Sequence, residues 1–387
     1  MTRMNNFAVL YRYELKKIFC TRLTVIALIG MFVLTLGLNA AEFIAGSKLV
    51  TDADAVLVGR ELDDAMFEEM RAAIDAETAV GENGETIVTS AVVQDEAYSR
   101  LWKFIKLVSR NDSRAYQMDR RTLEKTFHDT IDKALEDQRL TDSERAYWET
   151  RRESETIPPV YGREGGWGNS LVNLYVENFL IVISIGATLA GVFSTEYTLH
   201  TDALIFSSTN GKRRLSRAKF LAGITVGFAE AVFLIGVGTL IQFAIYGNVD
   251  ADTSLQFYYG PLLMDMPAKS ALLLSIGLLL LISIFYSAFV LWLSQLFRNP
   301  TVPMAAMALL MILSMLNPPD RFRVLAQIAG YMPATFPGNW TFTDYRLVTL
   351  FDARLTILQT LPILYLLLIA LLAALTKHSY RRYQATK

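Results

Sequence analysis

Long apolar runs constrain the fold of this chain more than any other feature of its sequence. An α-helix needs about 20 predominantly apolar residues to cross the ~30 Å hydrocarbon core of a bilayer. Five runs have at least 22 residues, whereas a sixth, Val302 to Leu316, has 15 and reaches only about 22 Å as a helix. We therefore predict an all-α membrane protein. The longer runs are Leu23 to Ala45, Leu171 to Phe193, Phe220 to Tyr246, Ala271 to Phe297 and Leu355 to Thr376.

The composition agrees with a membrane protein that has a sizeable soluble part. Of the 387 residues, 52% are hydrophobic and 19% are charged, whereas soluble domains are about a quarter charged. The single cysteine, Cys20, excludes a disulfide framework within the chain. The three histidines lie far apart in the sequence, so we expect no metal site.

Basic residues set the predicted orientation. The loop 194–219 and the tail 377–387 are both rich in Lys and Arg, which marks the cytoplasmic side of a membrane. Both lie on that side only if the short run also crosses. The prediction is therefore six transmembrane helices with both termini in the cytoplasm. Residues 23–45 form the first span, residues 171–376 contain spans two to six, and residues 46–170 lie outside.

The N-terminal residues 1–22 are predicted to form an interfacial helix. Apolar side chains recur at helical spacing, and Arg12, Lys16 and Lys17 occupy the other side, as in helices that lie on the inner leaflet. The alternative is a simple basic flank of the first span. The apolar positions are Phe7, Leu10, Tyr11, Leu15 and Ile18.

Residues 46–170 are predicted to form a mostly helical extracytoplasmic domain. They hold 26 acidic and 17 basic residues and no run long enough to span. Thr141 and Glu144 have the spacing of a capping box at the start of a helix. A stripe of apolar residues spaced three, four and seven positions apart predicts a helix with one buried face. Its members are Tyr98, Leu101, Trp102, Ile105 and Val108.

The basic loop 194–219 has a pattern of its own. Thr201 or Asp202 is placed to cap a short helix through Ala203 to Phe206, and Asn210-Gly211 is a turn signal. The loop is therefore predicted to hold a short structured helix under the bilayer. Its basic cluster is suited to anionic lipid headgroups, with a protein partner as the alternative. The headgroup candidates are Lys212, Arg213, Arg214 and Arg217, and Lys219 extends the cluster.

The segment 317–354 is predicted to be an outer re-entrant or interfacial pair of short helices, because Gly330 and Pro333 interrupt a semi-apolar stretch. The sequence has no GxxxxGK[ST] phosphate loop, no HExxH and no GxSxG. We therefore expect no enzymatic activity and no cofactor in this chain. We also expect no nucleic-acid partner.

The order of these parts resembles the permease subunits of ATP-binding-cassette transporters of the type-2 exporter family, especially bacterial ones with a large outer domain. The similarity is concentrated in the inner loop and covers the membrane part but not the outer domain. A short turn at Phe297 to Pro300 and the break at Tyr331 to Pro333 are weaker points of resemblance. The loop residues are Glu196, Tyr197, Thr201, Asp202, Leu204, Ser207, Ser208, Asn210, Gly211, Lys212, Ala218 and Lys219.

The resemblance implies that the loop is a coupling helix that seats in a separate ATPase subunit. Two permease chains, identical or different, would assemble with two ATPase subunits in a bacterial cytoplasmic membrane, with ATP and Mg²⁺ bound by the ATPase. Glu196 and Asp202 would pair with basic or amide groups of that subunit, although Asp202 could instead only cap the helix with Thr201. The apolar anchors would be Leu204, Ile205 and Phe206.

Glu230 is the main polar candidate inside the membrane. An acidic group at the centre of a span costs about 3 kcal/mol on insertion scales, so it should face protein or water. It could line a substrate path or form a structural hydrogen bond between helices.

The predicted function is ATP-driven export of a hydrophobic or amphipathic substrate, such as a lipid-like compound, a peptide or an antibiotic. The alternative is a membrane-anchored sensor that acts through its outer domain.

Overall fold

The computed structural model describes residues 2–44, 54–77, 96–112, 115–163, 165–198, 214–297, 299–338, 340–350 and 353–382. The protein is mostly helical, as predicted for an all-α protein. In chain order the elements are α1 (Thr2–Phe19), α2 (Arg22–Ile44), α3 (Asp64–Glu77), α4 (Glu96–Val108), α5 (Arg120–Asp137), α6 (Asp142–Ser154), α7 (Gly166–Leu189), α8 (Gly191–Thr198), α9 (Ser216–Tyr246), α10 (Gln256–Tyr259), α11 (Ala268–Leu296), α12 (Thr301–Ser314), α13 (Arg323–Gly330), α14 (Trp340–Thr343), β1 (Val348–Leu350), β2 (Ala353–Leu355) and α15 (Ile357–Arg382).

Five helical stretches are long and apolar enough to cross a membrane: Arg22–Ala41, Gly166–Glu196, Ser216–Tyr246, Ala268–Leu296 and Ile357–Ser379. They coincide with the five longer apolar runs. The short run forms α12, whose 14 residues make a helix of about 21 Å. Met307 of α12 is buried and lies against Gly186 of α7, so this helix packs on the bundle.

The bundle is built around α7, α9 and α11, which pack on one another, with α2 on one side and α15 on the other. Close approach of α9 and α11 depends on a small residue. A Cβ atom added at Gly227 would lie 2.0 Å from the hydroxyl oxygen of Ser287. Small residues let helix backbones approach closely in membranes, where no hydrophobic force drives helices together.

Helix α1 lies against the bundle at the end opposite residues 54–163, which we call the inner end. The hydroxyl group of Tyr11 on α1 donates to the hydroxyl oxygen of Thr225 on α9 at 2.9 Å. Ile18 is buried in the bundle core, while Arg12 and Lys16 remain exposed. The predicted helix is therefore observed, and its apolar side packs against the bundle: Ile18 is buried, and Phe7, Leu10, Tyr11 and Leu15 are half-buried.

Residues 54–163 form helices α3 to α6 at the other end, which we call the outer end. The predicted stripe on α4 is buried, with Leu101 and Val108 fully enclosed. The predicted capping box is also present: the Glu144 carboxylate accepts the Thr141 N–H at 2.8 Å, and the Thr141 hydroxyl accepts the Glu144 N–H at 3.4 Å.

The core of this outer region extends beyond the predicted range 46–170. The indole N–H of Trp148 donates to the carbonyl of Tyr345 at 2.7 Å, and the rings of Phe104 and Phe257 lie 4.8 Å apart. Segments that follow α9 and α13 thus complete the same core, which joins the outer region to the bundle at several points. The residues from those segments are Phe257, Leu263, Met264, Tyr345 and Leu347.

Glu144 is the polar centre of that junction. Its carboxylate accepts hydrogen bonds from Arg323 at 2.6 Å and from the N–H of Leu347 at 2.8 Å, besides the N–H of Thr141. Burial is the largest single influence and raises the pKa of Glu144. These hydrogen bonds to the charged form together outweigh burial, so the pKa lies below its ordinary value of 4.5.

The segment 317–354 is broken as predicted, with α13 ending at Gly330 and a 3₁₀ turn at Pro333–Thr335. Its hairpin of β1 and β2 was not predicted, because strands of three residues are too short to show alternation. Three arginines in this outer segment have partners within the protein. Arg323 meets Glu144, Arg346 meets Asp344 at 2.8 Å, and Arg354 donates to a backbone carbonyl at 2.9 Å.

Candidate functional site

A buried ion cluster lies at the inner end, at the base of the predicted coupling loop. The ammonium nitrogen of Lys219 on α9 lies 2.7 Å from a carboxylate oxygen of Glu196 on α8 and 3.2 Å from one of Glu14 on α1. It also donates to the carbonyl of Val192 at 3.3 Å and lies 5.9 Å from the ring centre of Phe193. We call Glu14, Glu196 and Lys219 the inner ion cluster.

The cluster joins α8 and α9, which are neighbours in the sequence, to α1, which lies far from both. Lys219 is completely buried, and both carboxylates are nearly so. Buried charges persist only when they are paired and hydrogen-bonded, since removing one partner leaves an uncompensated charge. Lys17 of α1 is a second cation nearby. Partial desolvation and then the charge of Lys219 lower the pKa of Lys17, and Glu14 and Glu196 oppose that shift.

This geometry corrects one prediction about the basic cluster. Lys219 cannot bind lipid headgroups, because it lies on the face of α9 that packs against α1 and α8. Arg217, two residues earlier, is turned by about 200° around the helix and is exposed, and Arg214 is partly exposed. Both remain available to headgroups.

The other inner-loop candidates are only partly within the described residues. Glu196 is described, and its carboxylate is bound to Lys219 within the chain. Thr201, Asp202, Leu204, Ile205, Phe206, Lys212 and Arg213 lie outside the described residues. What the structure describes is therefore the base of the loop, where α8 ends and α9 begins.

Glu230 is buried in the middle of α9, in agreement with the prediction that it faces protein or water. One carboxylate oxygen, Oε2, accepts hydrogen bonds from Ser184 at 2.9 Å and Thr188 at 3.2 Å, both on α7. The other oxygen, Oε1, is buried and has no hydrogen-bond partner in the described part of the chain. The structural hydrogen bond between helices is thus present, and it uses one of the two carboxylate oxygens.

Glu230 also lines a cavity between α2 and α9. The cavity has a volume of about 370 Å³, within the ~300–1,000 Å³ range of small-molecule pockets. Its wall is apolar apart from Glu230, and the exposed side chains of Ile29 and Phe233 belong to it. We call it the Glu230 cavity. The complete lining is Phe19, Leu28, Ile29, Phe32, Ala229, Glu230 and Phe233.

Glu177 is a second buried carboxylate of the bundle. It accepts hydrogen bonds from Asn173 at 3.2 Å and Thr35 at 3.5 Å. Gly238 makes room for it, since a Cβ atom there would lie 2.3 Å from the carboxylate. The side-chain amide of Gln242 on α9 donates to the amide oxygen of Asn39 on α2 at 2.7 Å. These pairs link α2, α7 and α9.

A buried amide fixes the broken outer segment to the bundle. The side chain of Asn178 on α7 donates to the carbonyls of Pro333 and Phe336 at 2.7 and 2.6 Å and accepts from Tyr286 at 3.2 Å. Asn178 was not singled out from the sequence, because one asparagine in an apolar run carries no spacing signal. A smaller cavity of about 180 Å³ lies beside this segment, with Asp344 and Arg346 in its wall.

Together these features define a class: a helical protein with five helices that could cross a membrane, buried polar links between them, and a helical outer region that shares its core with the bundle loops. Within the described ranges, no group of three or more metal-binding side chains is present. No protein-family model, curated protein or solved structure matches the chain.

Proposed function

We propose that this chain is the membrane-spanning permease subunit of an ATP-binding-cassette transporter of the type-2 exporter family. In this arrangement α12 is the short fifth of six spans, both termini are cytoplasmic, and residues 54–163 are extracytoplasmic. Two such chains pair with two ATPase subunits, which bind ATP and Mg²⁺. The transported substrate is hydrophobic or amphipathic.

The observation that best supports this function is the inner ion cluster. Residues 199–213, which lie outside the described residues, connect the end of α8 to the start of α9. Glu196 and Lys219 tie those two ends together, and Glu14 adds α1 to the same contact. A loop held at both ends passes a displacement to the helices instead of absorbing it. This is what a coupling segment requires, because the energy comes from the ATPase and must reach the spans.

The proposal is tested by purifying the full chain from its native membranes and identifying the proteins that co-purify. We expect a stoichiometric ATPase subunit, and we expect it to be lost when residues 201–208 are scrambled. The control is a single substitution on the exposed side of α6, Glu153→Gln, because scrambling a stretch of that helix would itself disturb the outer region. A preparation without any nucleotide-binding protein would contradict the permease function.

Coupling is tested separately from assembly. The variant Asp202→Lys reverses a charge in the predicted coupling helix, so ATP hydrolysis by the purified complex should no longer respond to substrate if Asp202 contacts the ATPase. Unchanged coupling would assign Asp202 to helix capping alone. The sensor alternative would gain support only if no ATPase co-purifies, and it would then be tested on the outer region, whose core reaches the bundle loops through Trp148 and Tyr345.

A further inference from the structure

We propose that the Glu230 cavity is a binding site for lipophilic amines, which are molecules with an apolar body and a primary or secondary ammonium group. The site is defined by an apolar wall, a single buried carboxylate and an opening on the exposed face of α2 and α9. The site stands on this geometry alone. That its ligands are also transported rests on the proposed function.

The unpaired oxygen of Glu230 is the first reason. Glu230 is only 2% exposed, and Ser184 and Thr188 both donate to Oε2, which leaves Oε1 without a donor among the residues that the structure describes. No ion pair found in those residues includes Glu230. A buried charge needs a counter-charge or several hydrogen bonds. The cavity beside it is where a ligand would supply them.

The composition of the wall excludes the simplest occupant, an ordered water. A buried water needs two to four polar partners, and Glu230 is the only polar residue of the lining. A lipid acyl chain would fill the apolar space but would donate no hydrogen bond. A lipophilic amine satisfies both parts of the cavity. Its body contacts Phe19, Leu28 and Phe32. Its ammonium group donates to Oε1 and neutralises the carboxylate once the carboxyl group turns toward the cavity, because Oε1 is enclosed by protein in this structure.

The opening indicates how such a ligand arrives. Ile29 is 60% exposed and Phe233 is 44% exposed, and both belong to the wall. The rings of Phe32 and Phe233 lie 5.9 Å apart and bridge α2 and α9. In a bilayer this face would contact hydrocarbon, so the ligand enters from the side, and lipophilic compounds are already concentrated there.

The test is equilibrium binding to the purified full chain in nanodiscs, without any ATPase subunit. The probe is radiolabelled dodecylamine, and the competitors are unlabelled dodecylamine, dodecanol and dodecyltrimethylammonium. We expect saturable binding that dodecylamine displaces at least tenfold more effectively than either other compound. Dodecanol lacks the charge and dodecyltrimethylammonium lacks the N–H donor, so the comparison isolates the ammonium–carboxylate hydrogen bond.

Variants assign the binding to this cavity. Glu230→Gln should weaken binding tenfold or more, and Ala229→Phe should abolish it by filling the cavity while leaving the carboxylate in place. Glu177→Gln is the matched control, since Glu177 is an equally buried carboxylate outside the lining, and it should change the affinity less than twofold. All variants are compared by gel filtration and thermal midpoint, so that loss of folding is recognised.

Three results would overturn the proposal. The first is unchanged binding by Glu230→Gln, and the second is an equal loss with Glu177→Gln. In the third, a Phe233→Cys variant in a Cys20→Ser background forms disulfide-linked dimers in membranes, and dodecylamine does not lower the yield of those dimers. That result would assign the cavity to a second copy of this chain. Because no ATPase is present, none of these results bears on the permease function.

Discussion

Lys219 should be the most sensitive charged residue of the bundle. Replacing it with Met keeps the apolar stem but removes the ammonium group that lies 2.7 Å from Glu196 and 3.2 Å from Glu14. Two buried carboxylates are then left without their cation. Breaking a buried ion pair from one side costs about 3–5 kcal/mol, because the remaining charge keeps its desolvation penalty. We expect a loss of that size for Lys219→Met.

The expected shift in thermal midpoint follows from the size of the chain. Unfolding entropy is about 2.1 cal/mol/K per residue, so the 387 residues give about 0.8 kcal/mol/K if the whole chain unfolds together. A loss of 3–5 kcal/mol then lowers the midpoint by about 4–6 °C, measured by intrinsic fluorescence in detergent. Lys269→Met is the control, because its ion pair with Asp252 is largely exposed and such pairs contribute about 0–1 kcal/mol.

A comparison of single and triple variants of the inner ion cluster separates the effect of uncompensated charge from that of lost packing. Glu14→Gln or Glu196→Gln alone leaves Lys219 with one carboxylate and should cost less than Lys219→Met. The triple variant combines Glu14→Gln, Glu196→Gln and Lys219→Met. It leaves no charge in the inner ion cluster and should recover most of the lost stability. If the triple variant were as unstable as Lys219→Met, uncompensated charge would not be the cause, and lost packing of the lysine stem would explain the effect.

Three further predictions concern the outer region and the helix packing. The pKa of Glu144 is lowered by folding, so its stabilising effect is complete above about pH 4.5 and is lost as the pH falls below that value. Glu144→Gln should therefore weaken the fall of the thermal midpoint at acidic pH, whereas Glu153→Gln, on the exposed side of the same helix, should leave that fall unchanged. Gly227→Ala should cost about 1–3 kcal/mol through overpacking, and adding Ser287→Ala should restore part of it, since strictly additive effects would argue against this contact. Trp148→Phe should cost about 1–3 kcal/mol because a buried backbone carbonyl loses its donor, and an unchanged thermal midpoint would show that the carbonyl finds another.

Much of the fold could be predicted from local sequence signals. The five longer apolar runs became the five long helices, and the capping box of Thr141 and Glu144 was found as the sequence predicted it. These signals are local, because helix length, capping and the 3.6-residue period depend on residues a few positions apart. The same signals placed Glu230 inside a span and led us to expect that it faces protein or water.

The pairings that define the candidate site could not be predicted, because they join residues far apart in the chain. Glu14 and Lys219 are 205 positions apart, and nothing in either segment indicates the other. Lys219 looked like one more member of a basic cluster, and only the rotation of α9 separates it from Arg217. The outer core was underestimated for the same reason, since Trp148 and Tyr345 meet across 197 positions.

The inner ion cluster and the Glu230 cavity are connected through the same helices. The cavity lies between α2 and α9, with Phe19 at the end of α1 in its wall. Glu14, five residues before Phe19, is bound to Lys219, which lies 11 residues before Glu230 on α9. Eleven residues are close to three turns, so Lys219 and Glu230 lie about 20° apart around the axis and about 16 Å apart along it. Lys219 is bound to Glu196 of α8 and to Glu14 of α1, so the same side chain links α8 to the contact between α1 and α9. Because Phe19 of α1 and three side chains of α9 line the cavity, a shift of α1 against α9 would alter the shape of the cavity.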